Sequence, residues 1–167
     1  MNRIVNNICE LNELLAQFAQ SIPEKLIVLL EGEPGAGKTH MVKSFVKAIA
    51  RSSGIPSDQI ANLVSSPTFA LHQNYNIPQG ANAGLEIDHW DLYRLESEDD
   101  LESSGFWDQF SRPKLTVFIE WPERLNESWL PNDIAIWKFK IEILGETQRQ
   151  ISMLRRHPKV TDHAEIL

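Results

Sequence analysis

A chain of 167 residues that is 42% hydrophobic and 23% charged is long enough for one buried core and too short for two ordinary domains. The single cysteine, Cys9, excludes an internal disulfide framework and a cysteine zinc cluster. His40, His72, His89, His157 and His163 are too scattered for metal-ligand spacing, and no apolar run approaches the roughly 20 residues of a membrane span. A formal net charge of -7 disfavours unaided binding to nucleic acid, and the opening MNRIVNNICE carries no apolar secretory core, so a soluble, cytoplasmic protein without membrane contact is expected.

Ile8, Leu11, Leu14, Leu15 and Phe18 recur at helical spacing and predict an amphipathic helix from about Asn7 to Gln20, ending near Pro23. Leu26 to Leu30 (LIVLL) is a continuous apolar run of strand length, the pattern of a strand covered on both faces. A glycine-rich turn follows, and from Lys38 the apolar positions Met41, Val42, Phe45, Val46 and Ile49 return to helical period until about Arg51, before Ser52, Ser53 and Gly54. Phe69, Leu71 and Tyr75 to Ile77, then Leu85, Ile87 and Trp90, predict two strands joined as a hairpin. Ser97 ahead of Glu98, Asp99 and Asp100 starts a short helix that Gly105 stops. Leu115 to Ile119 (LTVFI) is a second buried strand, closed by Glu120, and Ile134 to Leu144 and Gln148 to Leu154 are two more. The order predicts a single α/β domain over 1–154, with a mostly parallel central sheet, helices on both sides and an antiparallel hairpin annex. Residues 155–167 form a tail. Arg149, Arg155, Arg156, His157 and Lys159 make a basic cluster near the C-terminus that reads as solvated surface, the alternative being contact with a phosphate backbone that a partner brings close.

Gly32-Glu33-Pro34-Gly35-Ala36-Gly37-Lys38-Thr39 matches G-x-x-x-x-G-K-[ST] at every fixed position and lies between a predicted strand and a predicted helix, the context this phosphate-binding motif requires. The glycines let the backbone wrap a phosphate, the new helix turns its positive end to the same anion, Lys38 neutralises the β and γ phosphates, and the Thr39 hydroxyl reaches magnesium. ATP with magnesium is the expected ligand. Hydrolysis also needs an acid at the metal and a group that orients water. Glu120, directly after a buried strand, lies at the carboxyl edge of the sheet where the phosphates should be, unless it is a solvated strand end. Asp91 in DHWDLYR is the second candidate, the plain alternative being a hydrogen-bonded turn acid.

Four blocks in this order, GEPGAGKT at 32–39, SSPTFAL at 65–71, HWDLYRL at 89–95 and IEWPERL at 119–125, resemble the TsaE (YjeE) family of bacterial ATPases in threonylcarbamoyladenosine tRNA modification. The resemblance runs from about Leu11 to Met153. It implies a P-loop NTPase-like domain with little ATPase activity alone, acting with TsaD and TsaB, which modify adenosine 37 of ANN-decoding tRNAs; hydrolysis would reset or regulate that complex, and tRNA would be reached only through it. By position it implies phosphate contacts along Glu33, Pro34, Gly35, Ala36, Gly37, Lys38, Thr39 and His40, and magnesium at Thr39 and Glu120. It implies a water-orienting or catalytic role for Asp91, beside Glu120, and a γ-phosphate contact for Thr68 in a switch-like loop with Ser66 and Pro67. Trp121 is open between a site contact and a packing residue. His40 stands where the family has a second hydroxyl, and Pro34 where an apolar residue is usual. The hairpin tip from Pro78 to Gly84 looks like an addition. No block carries adenine contacts; the regions near Cys9 to Asn12 and near Gly145 are only candidates for them.

Overall fold

The computed structural model describes residues 1–56, 58–60, 71–95 and 97–158. Ser66, Pro67 and Thr68 lie outside them, as does Lys159 of the basic cluster. Seven strands are described: β1 (Asn2–Val5), β2 (Lys25–Glu31), β3 (His72–Asn76), β4 (Glu86–Asp91), β5 (Leu115–Glu120), β6 (Ala135–Ile143) and β7 (Arg149–Arg156). They form one sheet in the order β1-β7-β6-β2-β5-β4-β3. The middle four, β6, β2, β5 and β4, are mutually parallel neighbours, and antiparallel strands close each side, β3 on β4 and β7 with β1 on β6.

β2 is central because both faces of its apolar run are covered. Leu26, Val28 and Leu30 belong to one core cluster and Ile27 and Leu29 to the other, all fully buried. The first cluster lies under two helices, α1 (Ile8–Ala19) and α2 (Lys38–Ser52), whose apolar stripes pack on the sheet; Phe45 of α2 meets Phe118 of β5 with ring centroids 5.3 Å apart. Asn7 starts α1, its side chain accepting from the Glu10 amide at 3.0 Å. On the opposite face the cover is thinner. Among the described residues it consists of α3 (Glu98–Ser103) and 3-10 turns at Leu92–Arg94, Asp108–Ser111, Pro122–Arg124 and Glu127–Trp129, with Leu101 and Phe106 plugging the core. The expected helices on both sides thus take an unequal form. Ser97 and Asp100 form a reciprocal capping box at the start of α3, and Gly105 follows it at a φ of 78°.

Two features lie beyond the sequence reading. β1 pairs with β7, although three of its four residues are exposed and only Val5 is buried, so no alternation marks it. β7 continues through Arg156, two residues past the expected boundary at 154, with the Arg155 guanidinium 4.5 Å above the Trp137 ring. The hairpin tip is tied to the end of α2: Asn82 donates to the Ser53 hydroxyl at 2.9 Å, and a Cβ on Gly80 would fall 2.0 Å from the Ser53 carbonyl oxygen.

Candidate functional site

The carboxyl ends of β2, β4 and β5 are in register: Leu30 pairs with Glu120, and Glu120 with Asp91. The glycine loop leaves β2 at this edge and enters α2 at Lys38. Gly35 and Gly37 have φ of 79° and 104°, where a side chain would strain the backbone even though open space surrounds both positions. Gly32 is confined differently, since a Cβ there would lie 2.7 Å from the Ile141 carbonyl oxygen of β6. Gly37 also begins α2 without a side-chain cap, which leaves the first-turn amides of the helix for an incoming anion. Along the rest of the loop Glu33 and Pro34 are exposed, Ala36 is buried, Thr39 is half-buried in the first turn of α2, and His40 is exposed one position on.

Lys38 is only 5% exposed. Its ammonium donates to the carbonyl oxygens of Gly32 at 2.7 Å and Glu33 at 3.2 Å and lies 3.9 Å from the centroid of the Trp121 ring. Burial pushes its pKa below the usual lysine value, opposed by the negative charges of Glu120, Asp91 and Glu123. Trp121 is the one non-glycine residue with positive φ among those described, at 60°. That left-handed step turns the chain out of β5 and sets the indole against both Lys38 and the ring of Tyr93, whose centroid is 4.9 Å away. The indole thus touches the loop lysine and also packs against the second core cluster, so both alternatives for Trp121 are present.

Asp91 and Glu120 come together as neighbours, in different surroundings. Asp91 is half-buried and accepts from the Tyr93 amide at 3.1 Å, capping the 3-10 turn Leu92–Arg94, so the turn-acid role is present. One carboxylate oxygen is engaged in that cap. Glu120 is 3% exposed and accepts at 2.8 Å from Nε2 of His89, itself 6% exposed. The sequence reading overlooked His89, although a spacing of two along β4 puts it on the same face as Asp91. It also overlooked Arg149 as a site residue. From the start of β7 Arg149 donates to the Ala36 carbonyl oxygen at 3.1 Å and to that of Gly145 at 2.8 Å, tying the β6–β7 turn to the glycine loop. Nothing in the local pattern signals this, because the two segments are far apart in sequence. Beside the loop, a mainly apolar cavity of about 350 Å³ is lined by Val5, Ile8, Leu11, Ala36, Met41 and Arg149 among others.

Among the described residues no group of three His, Cys, Asp or Glu side chains could cage a metal ion. Magnesium asks for less: one or two protein oxygens, the rest coming from water and phosphate. The hydroxyl of Thr39 and the carboxylates of Asp91 and Glu120 are hard oxygen donors of the required kind. His40 lines the rim of the apolar cavity, where partial desolvation of its ring and the nearby charges of Lys47 and Lys43 hold its pKa below the usual histidine value.

A parallel core whose central strand runs through a glycine loop into a helix, with acids at the ends of neighbouring strands, defines a P-loop NTPase-like α/β protein. The crystal structure of Bacillus subtilis YdiB superposes with a TM-score of 0.56, covering 93% of this chain and 84% of that one at 23% identity, and supports the same fold. Residues 5–151 match the family described as threonylcarbamoyl adenosine biosynthesis protein TsaE, and the chain belongs to that family. Among its relatives, the tRNA threonylcarbamoyladenosine biosynthesis protein TsaE of Rickettsia felis is 32% identical over 151 residues, 90% of this chain and 78% of the relative. The protein of the same name from Aquifex aeolicus is 31% identical over 144 residues, 86% and 88% of the two chains. No helix among the described residues is long and apolar enough to cross a membrane.

Proposed function

We propose that this chain binds ATP with magnesium on the glycine loop and hydrolyses it in support of threonylcarbamoyladenosine formation in tRNA, acting with TsaD and TsaB. The observation that carries the reading is Lys38: a buried ammonium, held on the loop's own carbonyls, within the field of two acids at the ends of adjacent parallel strands. An ammonium in that position exchanges carbonyl oxygens for phosphate oxygens with little loss of hydrogen bonding and a large gain in charge pairing. The amides at the start of α2 bind the same anion. Thr39 and Glu120 hold magnesium, which when bound supplies charge neutralisation across the β and γ phosphates. Asp91, with one oxygen in its turn, orients water with the other. The cavity between α1, the loop and the β6–β7 hairpin takes the base, its apolar lining suiting a purine face. Thr68 joins the γ-phosphate side in this reading.

The net charge of -7 fits a protein that reaches tRNA through partners and makes little direct contact of its own. The test is ATP hydrolysis by the purified protein with magnesium, alone and with TsaD and TsaB. Stimulation by the partners is the expected result; strong turnover alone, or none in either case, rejects it. A second reading, a nucleotide-gated interaction module without useful turnover, draws on the Tyr93 ring, 52% exposed and packed on the Trp121 that Lys38 touches. Glu120→Gln and Asp91→Asn variants that keep a reconstituted modification complex working would favour it.

A further inference from the structure

Glu120 closes β5 between β2 and β4, and at this depth a carboxylate requires a donor. Lys38 does not supply it: its ammonium bonds to the carbonyl oxygens of Gly32 and Glu33 and makes no hydrogen bond to Glu120. The one side-chain hydrogen bond of Glu120 among the described residues comes from His89, whose Nε2 lies 2.8 Å from Oε1. A carboxylate only accepts, so Nε2 carries the proton. His89 is opposite Phe118 in the β4–β5 register, two residues before the Asp91–Glu120 pair, and so reaches Glu120 diagonally from below the strand ends. Oε1 is engaged by His89, and no hydrogen bond to Oε2 is present among the described residues. The other ring nitrogen, Nδ1, is buried with no hydrogen-bond partner among the described residues. A histidine whose one side-chain hydrogen bond among the described residues goes to a carboxylate oxygen, and whose second nitrogen has no partner among them, is poorly explained by packing alone: a leucine or phenylalanine would fill the space without an orphaned polar atom.

We infer that His89 is the positioning residue of Glu120: it fixes the rotation of the carboxylate so that Oε2 faces the magnesium side of the nucleotide site. The inference rests on the proposed nucleotide reading. Groups behind a metal-binding carboxylate orient it in this way, and their loss weakens metal binding while leaving the other contacts of the ligand in place.

Calorimetric titration of ATP in EDTA and across a magnesium series tests this with the parent protein, His89→Leu and His89→Gln. Leucine fills the site without a donor, whereas the glutamine amide nitrogen reaches the position of Nε2. In His89→Leu the affinity for ATP in EDTA should stay within about twofold of the parent, while the magnesium needed for half-maximal tightening rises about tenfold; His89→Gln should recover most of that rise. Unchanged magnesium dependence in His89→Leu, an equal loss of affinity with and without magnesium, or a glutamine variant no better than leucine would each overturn the inference. A parent protein that binds no ATP under either condition would overturn the nucleotide reading itself, and this inference with it. Nitrogen NMR of the parent, with the His89 ring assigned by its absence in His89→Gln, gives an answer independent of how the leucine variant folds. A proton on Nε2 that responds to Glu120→Gln supports the pairing, and an unprotonated Nε2 overturns it.

Discussion

Lys38 has two carbonyl oxygens and an indole face as its present company, and all three are weaker partners for an ammonium than a polyphosphate. Removing it should therefore cost binding more than folding. Lys38→Ala is expected to weaken ATP binding by about 10- to 100-fold, the scale of charge-assisted hydrogen bonds, and unchanged affinity by calorimetry would reject the phosphate role. Asp91 separates two duties in one side chain. Asparagine caps a turn as well as aspartate does, so Asp91→Asn keeps the bond to the Tyr93 amide and changes only the charge. It should bind ATP normally and lose about 100-fold of partner-stimulated hydrolysis; loss of binding instead would mark the residue as structural. At this scale the glycine motif and the strand-ending Glu120 were legible, because a fixed spacing and an acid after an apolar run are local signals. His89 was legible in principle, from the spacing of two in His89-Trp90-Asp91, but its meaning depends on which strand lies alongside. The left-handed turn at Trp121 has no local signal at all, since tryptophan rarely adopts it.

Elements meet at the site through contacts that are long in sequence. Arg149 joins the β6–β7 turn to the glycine loop through the carbonyl oxygens of Ala36 and Gly145, and a lysine ammonium lacks the planar fork to span both. Arg149→Ala is expected to loosen the loop and weaken ATP binding about tenfold, with Arg149→Lys recovering only part of it in the same calorimetric assay. On the far side of β4, Asp88 is fully buried and accepts from His72 at 2.6 Å, from Asn74 at 2.9 Å and from Arg112. Burial alone would raise its pKa, but the hydrogen bonds from His72 and Asn74 and the charges of Arg112 and His72 outweigh it and hold the carboxyl below its usual value. The stability it contributes is thus present above its unfolded pKa of about 4 and is lost as pH falls through the lower folded value. Thermal melts from pH 6 to 3 should show Asp88→Asn less stable by about 2 kcal/mol at pH 6, with the gap closing below pH 4. A gap that stays constant with pH would reject the assignment. The helices and long strands were readable because their apolar period repeats, and Ser97 ahead of three acids announced the start of α3. β1 was not readable: four mostly exposed residues carry no period, and only the free edge of β7 makes them a strand.

For the molecule as a whole, a mostly parallel sheet around β2 and β5 could be expected from two doubly buried apolar runs, whereas the parallel places of β4 and β6 beside them, the edge strands and the cover of the second face follow from contacts no local pattern encodes. That architecture gives a nucleotide an unusual purchase on the fold. The glycine loop, the ends of β4 and β5, the start of α1 and the β6–β7 hairpin border one edge of the sheet, so a ligand seated there would link segments from near both ends of the described chain. Ligand that binds the folded state alone stabilises it by about 2.7 kcal/mol at one hundred times Kd. For a chain of this size each kcal/mol moves the melting midpoint by about 2 to 4 °C. ATP with magnesium should therefore raise Tm by about 5 to 10 °C at that saturation, and the rise should continue logarithmically with concentration. Lys38→Ala should melt near the parent without ligand and lose most of the rise. A Tm indifferent to millimolar ATP with magnesium would reject nucleotide binding. A rise undiminished in Lys38→Ala would instead place the nucleotide away from the glycine loop, and the proposed roles of Glu120 and Asp91 would go with it.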